Sequence, residues 1–319
     1  MIPVLAALVA CVPPDAAAPE ETAAVGDDTG TDGPPEPPEG GVRIMSAALE
    51  IPPRSETFLC TYGTWTGGDK GVVSFRSWQS DGMGHHAMFM RIRELDEHEE
   101  LPEGLERDPP EGVAVPCDWP LENAFQSVGD GRDENGFPAG MAMKLPDGFR
   151  YGIQSHYVNT TDETLRAQDA ILLGLVPADE VETWASVVGF SHLGFEIPPG
   201  GGQVSFECTH DTDLHLLSVQ GHMHENGLAW SFTRPTDGGA ETVFSIDDWD
   251  PTYRDQPLYR VFAPGELTLA AGVPSTTTCV WDNTTEVPMT FPTEMCGTVA
   301  VAYPAEEPIT CDVGRPPNP

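Results

Sequence analysis

With 319 residues, the chain is long enough for about two ordinary domains. Its 15 Lys and Arg face 51 Asp and Glu, a net charge of -36 that repels nucleic acid and anionic membrane surfaces and attracts cations. High counts of Gly (33) and Pro (32) suit many short strands joined by turns and argue against long helices.

Residues 1–10 are apolar and end Leu8-Val9-Ala10, followed by Cys11. A short apolar run, small residues and then a cysteine resemble the lipobox of bacterial lipoproteins. Residues 1–11 are therefore expected to be a lipoprotein signal peptide with Cys11 as the lipidated position, although no Lys or Arg precedes the run. Residues 12–42 are rich in Pro, Glu, Asp, Thr, Ala and Gly and cannot bury a core. They read as a disordered tether holding a globular body off a membrane. No later stretch is long and apolar enough to span a bilayer. The expected location is outside the cytoplasm, periplasmic or at the cell surface, with membrane contact only through the lipid.

Six further cysteines remain: Cys60, Cys117, Cys208, Cys279, Cys296 and Cys311. An even number in an exported chain implies disulfides. None forms a CxxC pair, and spacing alone does not choose among the pairings.

Residues 71–78, 151–158 and 202–208 alternate polar and apolar, and residues 170–176 read as a buried strand. Further strands are predicted at 214–219, 228–233, 266–271 and 297–303. Turn signals punctuate them, among them Pro146-Asp147-Gly148, Pro198-Pro199-Gly200 and Asp237-Gly238-Gly239. The best helix candidate is 177–186, with Pro177 at its start and acids in its first turn. The pattern predicts an all-β chain of two tandem antiparallel domains, sandwiches or jelly rolls, at residues 43–180 and 181–312, with few short helices and a tail at 313–319. Residues 94–111 read as a charged, solvated loop carrying His98 on its surface. Asn159-Thr160-Thr161 and Asn283-Thr284-Thr285 match the glycosylation pattern, which means little in a bacterial lipoprotein.

The residues that could carry chemistry are mostly histidines. His85 and His86 are adjacent, after Gly82 and Gly84. Neighbours on a regular strand point to opposite faces, so both can meet one metal only where the backbone twists, which the glycines permit. His156 shares a strand face with Gln154 and Val158. His222 and His224 follow the apolar run 216–219, and their i, i+2 spacing on a strand would present two imidazoles to one metal ion. Met295 lies in Glu294-Met295-Cys296. Its thioether would suit Cu(I), which zinc, calcium and magnesium sites would not require. Two imidazoles and a thioether make a reducible copper site. Three imidazoles make a second site that also cycles between Cu(II) and Cu(I).

The order of these pieces is an adjacent His pair, a later strand His, His-x-His, then Glu-Met-Cys. Around them stand Thr57-Phe58-Leu59-Cys60, Gln154-Ser155-His156-Tyr157, Ile197-Pro198-Pro199-Gly200 and Cys279-Val280. Together they resemble the copper type II, ascorbate-dependent monooxygenases, which include peptidylglycine α-hydroxylating monooxygenase and dopamine β-monooxygenase. The likeness runs from about Thr57 to about Cys311. It implies two jelly-roll domains, one copper on each, facing a water-filled cleft. His85, His86 and His156 would hold the electron-supplying copper. His222, His224 and Met295 would hold the oxygen-activating copper and carry catalysis. Ascorbate would be the reductant. A substrate C–H bond would be hydroxylated, one atom of dioxygen entering the product and the other leaving as water. The implied disulfides are Cys60–Cys117, Cys208–Cys311 and Cys279–Cys296.

Peptide-hydroxylating members anchor a peptide carboxylate with an Arg two residues before His-x-His and a Tyr four residues after the ligand Met. This chain has Gln220 and Val299 there. A C-terminal glycine peptide is not the expected substrate; a small organic or peptide-like molecule is. Trp230 and Tyr303 are aromatics available to line a pocket. The alternative is a non-catalytic copper-binding or electron-transfer surface lipoprotein of the same fold.

Overall fold

A computed structural model describes residues 33–80, 84–92, 108–117, 121–125, 135–254, 256–291 and 293–314; for residues 85, 121–125 and 135 it describes the backbone alone. The expected signal peptide, Cys11, most of the tether, residues 93–107 with His98, and the last five residues lie outside the described residues.

The described chain is all-β, and its helical pieces are two 3-10 turns, Ala178–Glu180 and Pro251–Arg254. The largest sheet runs in the order Val42–Met45, Asp169–Pro177, Lys70–Gln79, Met141–Leu145, Thr183–His192, Cys296–Tyr303, Leu214–His222, Tyr259–Val261. Pairing is antiparallel, except where Thr183–His192 lies parallel to Met141–Leu145 and to Ile309–Val313. The parallel pairing to Met141–Leu145 joins strands of the first half to strands of the second.

The strand Thr183–His192 replaces the helix expected over 177–186. Pro177 and the acids do start a helical turn, but it stops at Glu180. The amides of Glu182 and Thr183 then bond to the Gly140 carbonyl, and β-branched and aromatic residues follow. Burial on both faces decides the outcome, because tertiary packing overrides local propensity. Val187 joins a first apolar core with Val72, Phe89, Leu145, Ile153 and Leu173. Val188 and Phe190 join a second, with Leu216, Trp230, Phe232 and Trp281. Successive side chains on a strand point to opposite faces, so this one strand is a wall of both cores. The strand expected at 266–271 contracts to Thr268–Leu269.

The two halves contain a repeated local device. Ile51-Pro52-Pro53 and Ile197-Pro198-Pro199 each sit beside an Asn-Thr-Thr loop. Asn159 Nδ2 donates to the carbonyls of Ile51 and Glu163, while its Oδ1 accepts from the amide and hydroxyl of Thr161. Asn283 repeats every one of these bonds with Ile197, Val287 and Thr285. Each isoleucine lies on a short strand whose partner follows the loop: Leu49–Ile51 with Leu165–Ala167, and Glu196–Ile197 with Met289–Thr290. Both asparagines are 1% exposed, so each glycosylation-type sequence has its asparagine buried as the corner of a turn.

Three disulfides brace the sheets: Cys60–Cys117, Cys208–Cys311 and Cys279–Cys296, with Cα separations of 5.0, 6.0 and 5.9 Å. These are the pairings implied by the resemblance. They place the protein in an oxidising, exported setting. Among the described residues no helix is long and apolar enough to cross a membrane.

Because the two asparagine corners are equivalent, Asn159→Ala and Asn283→Ala should each destabilise the fold by a similar amount, on the order of 2–3 kcal/mol. Urea unfolding of the two variants checks this.

Candidate metal centre

The first histidine set stands on three adjacent strands. Arg150–Asn159 pairs with Ser55–Thr64 on one side and Gly84–Ile92 on the other, placing Phe58, His156 and His86 in one cross-strand row. The register against Gly84–Ile92 shifts at this row: His156 faces His86 and Tyr157 faces Gly84. His85 is the extra residue of this bulge. A bulge re-aims side chains, which is the twist an adjacent His pair requires; the side chain of His85 itself lies outside the described residues. The rings of His86 and His156 are 4.9 Å apart, and His156 is stacked on Phe58 at 4.0 Å.

His156 is fully buried, and its Nε2 lies 3.0 Å from Glu56 Oε1. A carboxylate only accepts, so Nε2 carries the proton and the ring lone pair is on Nδ1. This carboxylate–histidine pairing is the kind of support that orients metal-binding imidazoles. Near His86 lies a second carboxylate, this one buried: Asp169, which accepts from Tyr157 Oη and from Gln79 Nε2 at 3.4 Å. Gln79 also donates to the His86 carbonyl at 3.2 Å. Burial raises the Asp169 pKa to about 6, against the opposing pull of these hydrogen bonds and of His86.

The second set sits at the end of Leu214–His222. His222 closes the strand, and His224 lies just beyond it in a turn. Met223 between them is fully buried on the opposite side. The two rings are 5.4 Å apart and nearly perpendicular. Gly221 precedes them because Trp230 packs flat against the strand. A Cβ there would sit 2.4 Å from the Trp230 ring, which the Gly297 carbonyl fixes through Nε1 at 2.9 Å.

Glu294 organises this turn. It is fully buried and accepts four N–H donors: the His224 amide at 3.0 Å, the Asn226 amide at 2.8 Å, Asn226 Nδ2 at 2.9 Å and Trp281 Nε1 at 3.1 Å. Its neighbour Thr293 offers its carbonyl to His224 Nδ1 at 3.1 Å. A carbonyl only accepts, so Nδ1 carries the proton and Nε2 keeps the lone pair. On its other side, Met295 leads into Cys296, tied to Cys279.

His86 of the first set and His222, His224 and Met295 of the second line one cavity of about 690 Å³, together with Phe58, Met88, Gln154, Phe190, Val299 and Arg254. His156 lies behind His86. The donors are imidazoles and thioethers, which fit copper better than a hard cation. Among the described residues, no three His, Cys, Asp or Glu side chains are arranged as a metal-binding group. The second set has two imidazoles and a thioether, and the first has two described imidazoles beside His85. Trp230 and Tyr303 do not line the cavity: Trp230 is buried beneath Gly221, and Tyr303 packs on His215 at 5.0 Å. Glu56, Arg254 and Asp169 carry no local signal in the sequence: Arg254 and Asp169 stand apart from every motif, and Glu56, just before Thr57-Phe58-Leu59-Cys60, is one carboxylate among many.

No family model matches the chain, and no curated protein matches it. Among solved structures it is similar to the VP2 subviral particle of infectious bursal disease virus, at 8% identity over 82% of this chain and 72% of that one, with a TM-score of 0.22. A structure of the Gx strain of the same virus gives 9% identity over 83% and 73%, with a TM-score of 0.19. These TM-scores are too low for the likeness to bear on fold or function.

Glu294→Gln keeps the shape but turns an NH2 group toward N–H donors. It should destabilise the protein by about 3 kcal/mol. In the same variant the His224 ring N–H should lose its protection from solvent exchange, measured by NMR.

Proposed function

We propose that this chain is a copper- and ascorbate-dependent monooxygenase that hydroxylates a C–H bond of a small organic or peptide-like substrate with dioxygen. The supporting observation is that His86, the His222–His224 pair and Met295, from three segments far apart in sequence, line one cavity, with the buried His156 ring 4.9 Å from that of His86. Its size, about 690 Å³, suits a small molecule. In this reading His85, His86 and His156 hold one copper, and His222, His224 and Met295 hold the other. The two halves would be tandem jelly rolls, consistent with the repeated Asn corner in each. The body would be tethered at Cys11 by lipid.

Bound copper would supply one-electron redox chemistry, drawing electrons from ascorbate to reduce dioxygen. The residues of the chain do the rest. Glu56 and the Thr293 carbonyl fix one tautomer each at His156 and His224, so that a ring lone pair remains for the metal. Glu294 holds the His224 turn and the segment carrying Met295 as one unit. A thioether favours the reduced metal, which suits the site assigned to dioxygen. Phe58, Phe190, Val299 and Met88 give the cavity apolar walls for the hydrocarbon part of a substrate.

Gln220 and Val299, which replace the peptide-carboxylate anchors of the peptide-hydroxylating members, are direct cross-strand partners. Both departures therefore fall at one place beside the cavity. This favours a substrate without a C-terminal glycine carboxylate. The alternative of a copper carrier or electron-transfer protein differs only in turnover.

Purified protein reconstituted with copper should hold two ions per chain. His86→Ala and His224→Ala should each lose one of them, and ascorbate should drive oxygen uptake. Absence of bound copper after reconstitution contradicts the reading. Two bound ions without turnover of any substrate favour the carrier alternative.

A further inference from the structure

Arg254 projects into the cavity from the 3-10 turn Pro251–Arg254. The turn is pinned to the second half. Trp249, 5% exposed, donates from Nε1 to the His224 carbonyl at 3.0 Å and meets Tyr253 edge-on at 5.7 Å. Asp250 Oδ1 accepts from the amide of Thr252 at 2.8 Å and from its hydroxyl at 2.6 Å. From this fixed base the guanidinium reaches two carboxylates. Nη1 bonds Glu225, the residue after His224. Nη2 lies 3.5 Å from Glu56 Oε1, the same oxygen that pairs with His156 Nε2 at 3.0 Å. A continuous polar chain thus runs His156, Glu56, Arg254, Glu225, from one histidine set to the turn that carries the other.

We propose that Arg254 is a positioning residue, an ionic strap that ties the His156 set to the His222–His224 turn across the cavity. The geometry of a guanidinium suits this, because its planar fork can serve two carboxylates at once whereas an ammonium is a point charge. The contacts of Arg254 with described residues, Glu225 and Glu56, go to carboxylates, so it is poorly placed to capture a substrate carboxylate as well. The strap instead fixes how far apart the two sets stand and keeps Glu56 on His156. The side chains of Arg254, Glu56 and Glu225 are 23%, 52% and 53% exposed, so salt will loosen the strap. Its catalytic meaning rests on the copper reading; the strap itself does not.

The test uses the metal-free full-length chain with 15N-labelled histidine and follows exchange of the His156 Nε2–H with water. Arg254→Gln should speed that exchange several-fold. Glu225→Gln should do the same, although Glu225 lies at the opposite end of the strap from His156. Arg254→Lys should keep part of the protection. In the unmodified protein, high salt should reproduce the loss, which keeps the test open should a variant fold poorly. Exchange at His156 that is unchanged by Glu225→Gln and by salt overturns the proposal. A chain that passes this test but binds no copper would refute the copper reading and leave the strap standing.

Discussion

The geometry of the second histidine set depends on one buried carboxylate. Glu294 has no exposed surface, and four N–H groups converge on its two oxygens. An uncompensated charge at that depth would cost several kcal/mol, so the carboxylate is tolerable only with its donors in place. Those donors come from a turn after one strand and from an indole on another. The residue before Glu294 fixes the His224 tautomer, and the residue after it is Met295. Two donor atoms remote in sequence are thereby set by one ion and its neighbours.

The cavity itself follows from the way the two cores share a sheet. Thr183–His192 and Cys296–Tyr303 give alternate residues to each core, which holds the two halves in one body. Gly189, Phe190, Ser191, Gly297, Thr298 and Val299 of this shared sheet form one wall. The strand carrying His86 and Met88 supplies the facing one. Acidic residues around the histidines give a local form to the charge of the whole chain: Glu56, Asp169 and Glu294 each hold a hydrogen-bonding role beside a proposed ligand.

Part of the arrangement was legible in the chain, because the spacing of histidines along a strand is a local property. His222 and His224 flank a buried Met223, although His224 stands just past the end of the strand. Gly84 before an adjacent His pair marked the place where the backbone bulges. What stayed hidden was non-local. The helix read at 177–186 was a sound local pattern overruled by strand pairing on both sides. The strap through Arg254 joins residues with sequence separations of 29 and about 200, and no periodicity records such a contact. The repeated Ile-Pro-Pro and Asn-Thr-Thr pairs were visible in the sequence, but their meaning lay in backbone carbonyls that only the fold brings to the asparagines.

The account stands on Met295 and two imidazoles acting together as ligands to reduced copper. X-ray absorption of the Cu(I)-loaded protein tests this most directly. The account predicts a sulfur scatterer beside imidazole nitrogens, lost in Met295→Leu while the nitrogen shell and the count of bound copper persist. A spectrum without sulfur, or one whose sulfur survives Met295→Leu, would contradict it.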